Sequence, residues 1–147
     1  MRRLAVTFMV IGVIGTIGAL AAPTALAAPK LLQVSPKQVN FGTQPVGSLT
    51  FAEVTVTNTS SMSLLVLVDA VELPDDFNFG NLAGSTCIAL EGQILAPGDS
   101  CVAVVGFQPS EFFAGRWQTA TLLVTARDLA SGALLQSVTV KVRGKGA

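Results

Sequence analysis

The chain has no histidine and no tyrosine, a single tryptophan, two cysteines and only 12% charged residues. Without histidine, the side chain that most often acts as a general base or metal ligand near neutral pH is missing. Ser100 and Ser110 then have no imidazole to activate them, so the sequence predicts a protein that is not an enzyme. Asp75 and Asp76 are adjacent in a proline-containing loop, where carboxyls usually serve to solvate the chain. With Asn78 they offer oxygens of the kind calcium takes, but no EF-hand spacing accompanies them. No metal and no cofactor is expected. Positive charge is not in excess either: nine Lys/Arg stand against nine Asp/Glu, and loss of Arg2 and Arg3 with a leader would leave seven against nine. Such a balance provides no field to neutralise phosphates, which argues against nucleic acid as a partner.

What is present begins with a leader. Met1-Arg2-Arg3 is a short cationic segment, followed by an apolar run from Leu4 to Leu20, then Pro23 and Ala25-Leu26-Ala27. This is the order of a secretory signal peptide, whose peptidase requires small residues three and one positions before the cut. A retained membrane anchor is the competing reading, since the run approaches the roughly 17 residues of the shortest spanning helices. Pro23 and the Ala-x-Ala site favour cleavage. The expected division is therefore a signal peptide over 1–27 and one domain over 28–147. The mature protein is expected to be extracytoplasmic, secreted or periplasmic, and to touch the membrane only through the leader before cleavage.

Beyond the leader the dominant period is two, the signature of strands with one face buried. Ala52, Val54 and Val56 alternate with Glu53, Thr55 and Thr57. Residues 63–71 form a β-branched apolar run too short for a typical helix, and Val138, Val140 and Val142 alternate near the end. Further strands are expected at 31–34, 39–42, 101–107 and 117–126, separated by turn residues such as Pro45, Gly47, Pro97, Gly98 and Gly132. Residues 73–84 show no period and read as a long connection, with Phe77 and Phe79 dipping into the core. About seven strands and no helical spacing predict an all-β fold, a single antiparallel β-sandwich.

Both cysteines, Cys87 and Cys101, flank the Pro97-Gly98 turn. In an exported chain they have one intramolecular pairing available. A zinc site would want four ligands, and a redox pair of the thioredoxin type would sit at CxxC spacing. A structural disulfide closing a loop of about 15 residues is expected to stabilise the domain by about 3 kcal/mol.

Several motifs then stand in order: Val34-Ser35-Pro36, Asn40-Phe41-Gly42 before Pro45-Val46-Gly47, Val54-Thr55-Val56-Thr57-Asn58-Thr59, Ala96-Pro97-Gly98-Asp99-Ser100-Cys101, Phe107-Gln108-Pro109, and Val142-Arg143-Gly144-Lys145-Gly146. In this order they resemble the Hydin-like or ASH-type immunoglobulin-like domain, in the bacterial form called choice-of-anchor D, related to major sperm protein and pilus-chaperone sandwiches. The resemblance spans 31–146. It implies an Ig-like sandwich with no catalytic residues to carry over, and a noncatalytic role in protein-protein interaction or in the structure of the cell envelope. The implied partner is a protein of the envelope or extracellular space. Phe112-Phe113 departs from the pattern, so that connection is expected to be exposed or to cover one end of the sandwich.

Two candidate sites follow. If Leu64, Val66 and Val68 point inward, Leu65 and Leu67 point outward; inward Leu122 and Val124 likewise place Leu123 outside. In an Ig-like layout the two strands are neighbours, so Leu65, Leu67 and Leu123 form a candidate partner-binding patch, unless they lie under a loop such as 73–84. The alternative function is carbohydrate binding, with Phe112, Phe113 and Trp117 as a stacking platform. Against it stands the commoner fate of a tryptophan just inside a strand, burial in the core, which is the expectation for Trp117.

Overall fold

The computed structural model describes residues 27–87 and 91–147. Apart from Ala27, the leader expected over 1–27 lies outside the described residues. Among the described residues nine strands follow in chain order: β1 (Leu32–Ser35), β2 (Gln38–Gln44), β3 (Thr50–Asn58), β4 (Leu64–Glu72), β5 (Phe77–Phe79), β6 (Gln93–Leu95), β7 (Ser100–Phe107), β8 (Trp117–Asp128) and β9 (Leu134–Gly146). One 3-10 turn, Glu111–Phe113, precedes β8. No helix among the described residues is long and apolar enough to cross a membrane.

The strands form two layers, one of four in the order β1-β3-β7-β5 and one of five in the order β2-β9-β8-β4-β6. This is the expected sandwich, with two short strands more than the sequence pattern revealed. β5 lies inside the stretch read as a connection and pairs with β7, Phe77 opposite Phe107. β6 pairs Leu95 with Leu64. Three residues are too few to show a period, so both strands are specified by their partners rather than by their own sequence. One ladder is parallel: β2 runs beside β9, Val39 opposite Val142. After β1 pairs with β3, the chain crosses at Pro36 to the other sheet and enters beside the last strand, running in the same direction.

Alternation is obeyed in the core. Val54 and Val56 of β3, Leu64, Val66 and Val68 of β4, Leu122 and Val124 of β8, and Val140 and Val142 of β9 are all sealed from solvent. Burial of each such side chain contributes about 1.5–3 kcal/mol relative to exposure. One end of the core is aromatic. Phe107 lies 5.4 Å from Phe41 and 4.8 Å from Phe77 between ring centroids. The Phe107 ring also rests on the backbone of β9 at Gly144, where an added Cβ would come within 2.5 Å of it. Close approach of ring to strand is what requires glycine here.

Asn58 ends β3 in a fully buried position. Its Nδ2 donates to the carbonyls of Met62 and Leu95 at 2.8 and 2.9 Å, and its Oδ1 accepts from the backbone N–H and hydroxyl of Ser60. Its own N–H donates to Asp99 O, and its carbonyl accepts from Gly98 N–H. Through its side chain and its backbone together, this one residue ties the end of β3 to β6 and to the turn before β7. That turn is closed by Asp99 N–H to Ala96 O, with Gly98 at φ +85° as its second central residue demands.

Candidate interaction surfaces

Cys87 and Cys101 are joined, as the sequence predicts, with Cα atoms 5.0 Å apart and both residues buried. The bond sits at the start of β7 and fixes the chain that runs along that strand's margin. Here Thr86 and Cys87 donate backbone N–H groups to Val102 O, the Thr86 hydroxyl accepts from Val102 N–H, and the Ser85 hydroxyl accepts from Val104 N–H. Beyond β5 the edge of β7 is thus occupied by backbone N–H groups and side-chain hydroxyls that stand in for a neighbouring strand.

On the five-stranded sheet, β4 and β8 are neighbours, with Leu67 opposite Thr125 and Asp69 opposite Leu123. Leu65, Leu67 and Leu123 all turn away from the core and are half-buried. Leu65 is also paired with Ile94 of β6, which is 59% exposed. Among the described residues, the chain at Gly92 comes close to Leu65 and Leu67, where an added Cβ would fall 2.9 Å from Leu65 Cδ1 and 3.1 Å from Leu67 Cγ. The same face carries polar groups toward β9. Lys141 Nζ donates to the Thr121 hydroxyl at 2.9 Å, and that hydroxyl reaches the Glu72 carboxyl at 3.2 Å.

The three aromatic residues considered for stacking occupy two places. Phe112 and Phe113 lie on the 3-10 turn and line an open cleft of about 670 Å³ at the end of the sandwich. Phe112 is 92% exposed, in keeping with the expectation for that connection. Trp117, 54% exposed rather than buried in the core, is not part of that lining. It starts β8 opposite Lys145, and the Arg143 guanidinium lies 5.2 Å from its ring centre, a cation–π contact that takes one face of the indole.

Asp75 and Asp76 border the same cleft and differ from each other. Asp75 is exposed, whereas Asp76 is only 2% exposed and accepts a short hydrogen bond from Gln118 Nε2. The expectation of two solvating carboxyls fails for Asp76. Asn78 turns the other way, toward the outer face at Gly106, where an added Cβ would meet its Cβ at 3.4 Å. A signal for the buried pair did exist in the sequence: Gln118 holds the inward frame of Ala120, Leu122 and Val124, where a polar side chain requires a partner.

No protein-family model matches the sequence, and no curated protein matches it. Solved structures do share its architecture. The ASH/PapD-like domain 7 of human CEP192 superposes with a TM-score of 0.65 at 11% identity, over 90% of this chain and 96% of that one. The fold is of the ASH/PapD-like type. WR4, a member of the MSP family from C. elegans, shares this ASH/PapD-like architecture with a TM-score of 0.53 at 10% identity, over 81% of this chain and 100% of its own. The E. coli chaperone DraB gives 0.54 at 15% identity, over 78% of this chain and 54% of its own.

Proposed function

We propose that this protein is an exported, noncatalytic binding module that engages a protein partner through the outer face of its five-stranded sheet. The observation carrying the reading is the apolar character of Leu65, Leu67, Leu123 and Ile94, which point away from the core on three adjacent strands and keep part of their surface in contact with solvent. Apolar outward positions on a sheet whose opposite face already forms the core are typical of surfaces covered by a second molecule. The disulfide supports the extracytoplasmic part of the reading, because such bonds persist in oxidising compartments.

The test compares the natural protein with a Leu67→Glu, Leu123→Glu variant. Photo-crosslinking from Ile94 in intact cells should capture a discrete partner that the double variant loses while its circular dichroism is unchanged. Retention of the crosslink by a folded double variant would remove the sheet face as the binding surface. The mass of the protein recovered outside the cytoplasm should correspond to a chain beginning at Ala28.

A further inference from the structure

The cleft at the aromatic end of the sandwich is a separate place from the sheet face, and its chemistry points to a different kind of contact. Its lining is largely apolar, with Val46, Pro109, Phe112 and Phe113 among the residues that form it. The buried acid among its lining residues is Asp76, fixed from two directions: its carbonyl accepts from Gln108 N–H at 2.7 Å, and its side-chain Oδ2 accepts from Gln118 Nε2. Phe77, the next residue, is locked into the aromatic cluster behind it.

A carboxyl group has about four acceptor positions, and Gln118 occupies one. No other side-chain bond to Asp76 is made by the described residues. None of their sealed side-chain oxygens lacks a partner, so Oδ1 is not fully sealed, although Asp76 is only 2% exposed, and Asp76 is among the residues that line the cleft. Among the described residues no lysine or arginine lines the cleft, while Asp75 adds a second carboxyl at its border.

We propose that this cleft receives an arginine or lysine side chain presented by a protein partner. The head group would reach Asp76, and the aliphatic stem would lie against Phe112, Phe113 and Pro109. An acid in an apolar-walled recess attracts a cation more strongly than the same acid in open water, and aromatic faces add to that attraction. Fixing the carboxyl in advance lowers the ordering cost of binding. A sugar is the poorer fit, because Phe112 and Phe113 are inclined by 54° at 6.4 Å and do not make one flat platform. A free small amine is poorer too, since the almost fully exposed Phe112 ring would remain in water, whereas a protein surface around the basic residue would cover it.

The experiment is a titration of the isotopically labelled, disulfide-bonded protein, followed by amide resonances. The probe is the dipeptide Nα-acetyl-Leu-Arg-amide, and its control is the same peptide with neutral citrulline in place of arginine. The arginine peptide should shift the Gln118 side-chain amide and the backbone N–H groups of Ser110 and Phe113 in a saturable way. The citrulline peptide should bind about tenfold more weakly, the loss of a charge-assisted hydrogen bond. Asp76→Asn should abolish the difference between the two peptides. Phe112→Ala, at a position with no role in the core, should weaken the arginine peptide about threefold. If Asp76→Asn does not fold, the citrulline comparison and Phe112→Ala decide the matter. Equal binding of both peptides, absence of saturable shifts at these groups, or saturable shifts there with methyl glycosides in place of the peptides would each overturn the proposal. None of these outcomes bears on the sheet face, which the crosslinking experiment tests by itself.

Discussion

At the scale of single residues, the side chains with the largest structural burden are polar. Asn58 is recognisable in the sequence as a residue able to bond backbone where β3 stops. That it is sealed and holds a distant carbonyl as well as the near one of Met62 is not recognisable, because Leu95 is 37 positions away. Asn58→Ala should lower unfolding free energy by roughly 3 kcal/mol, since it leaves buried carbonyls without donors; urea denaturation measures this directly. Asp128 is the opposite case, a carboxyl at the surface in the hairpin between β8 and β9. Its pKa is held below the ordinary value, chiefly by the backbone N–H of Ser131 and next by the Ser131 hydroxyl, with Ala130 N–H adding to them and burial opposing. A lowered folded pKa contributes stability that is fully present above the unfolded value, about pH 4, and is lost as pH falls through the folded one. Urea midpoints taken at a series of acidic pH values should fall less steeply for Asp128→Asn than for the natural protein.

The longer strands were legible at the scale of elements, because period-two alternation in β3 and β9, apolar runs of strand length in β4 and β7, and the turn residues that bound these and β8 agree with each other. β5 and β6 were not legible: each is three residues long, and the ladder that makes it a strand belongs to its neighbour. The same limit applies to the candidate sites. The outward direction of Leu65, Leu67 and Leu123 follows from strand parity alone, whereas the place of Trp117 and the burial of Asp76 depend on which strands meet at the ends of the sandwich. The stapled segment allows a test of element-scale coupling. Replacing Cys87 and Cys101 together by alanine should cost roughly 3 kcal/mol in the chain-entropy account. Hydrogen exchange should then rise first at Val102 and Val104, whose N–H groups depend on Thr86 and Ser85, while β8 keeps its protection. Uniform loss of protection across both sheets would show instead that the bond holds the whole domain.

For the whole molecule, two layers were legible from pattern and resemblance, but the parallel ladder was not. Strand periodicity says which face a residue takes and nothing about the direction of the strand beside it. The crossing at Pro36 determines that direction, and with it how the domain would carry load. Because β2 and β9 run side by side in the same sense, tension drawn between the start of one and the end of the other would slide them lengthwise. Their hydrogen bonds would be strained together rather than opened singly, as happens when a hairpin is peeled from its tip. A body joined in this way resists stretching along that axis far better than prying across it.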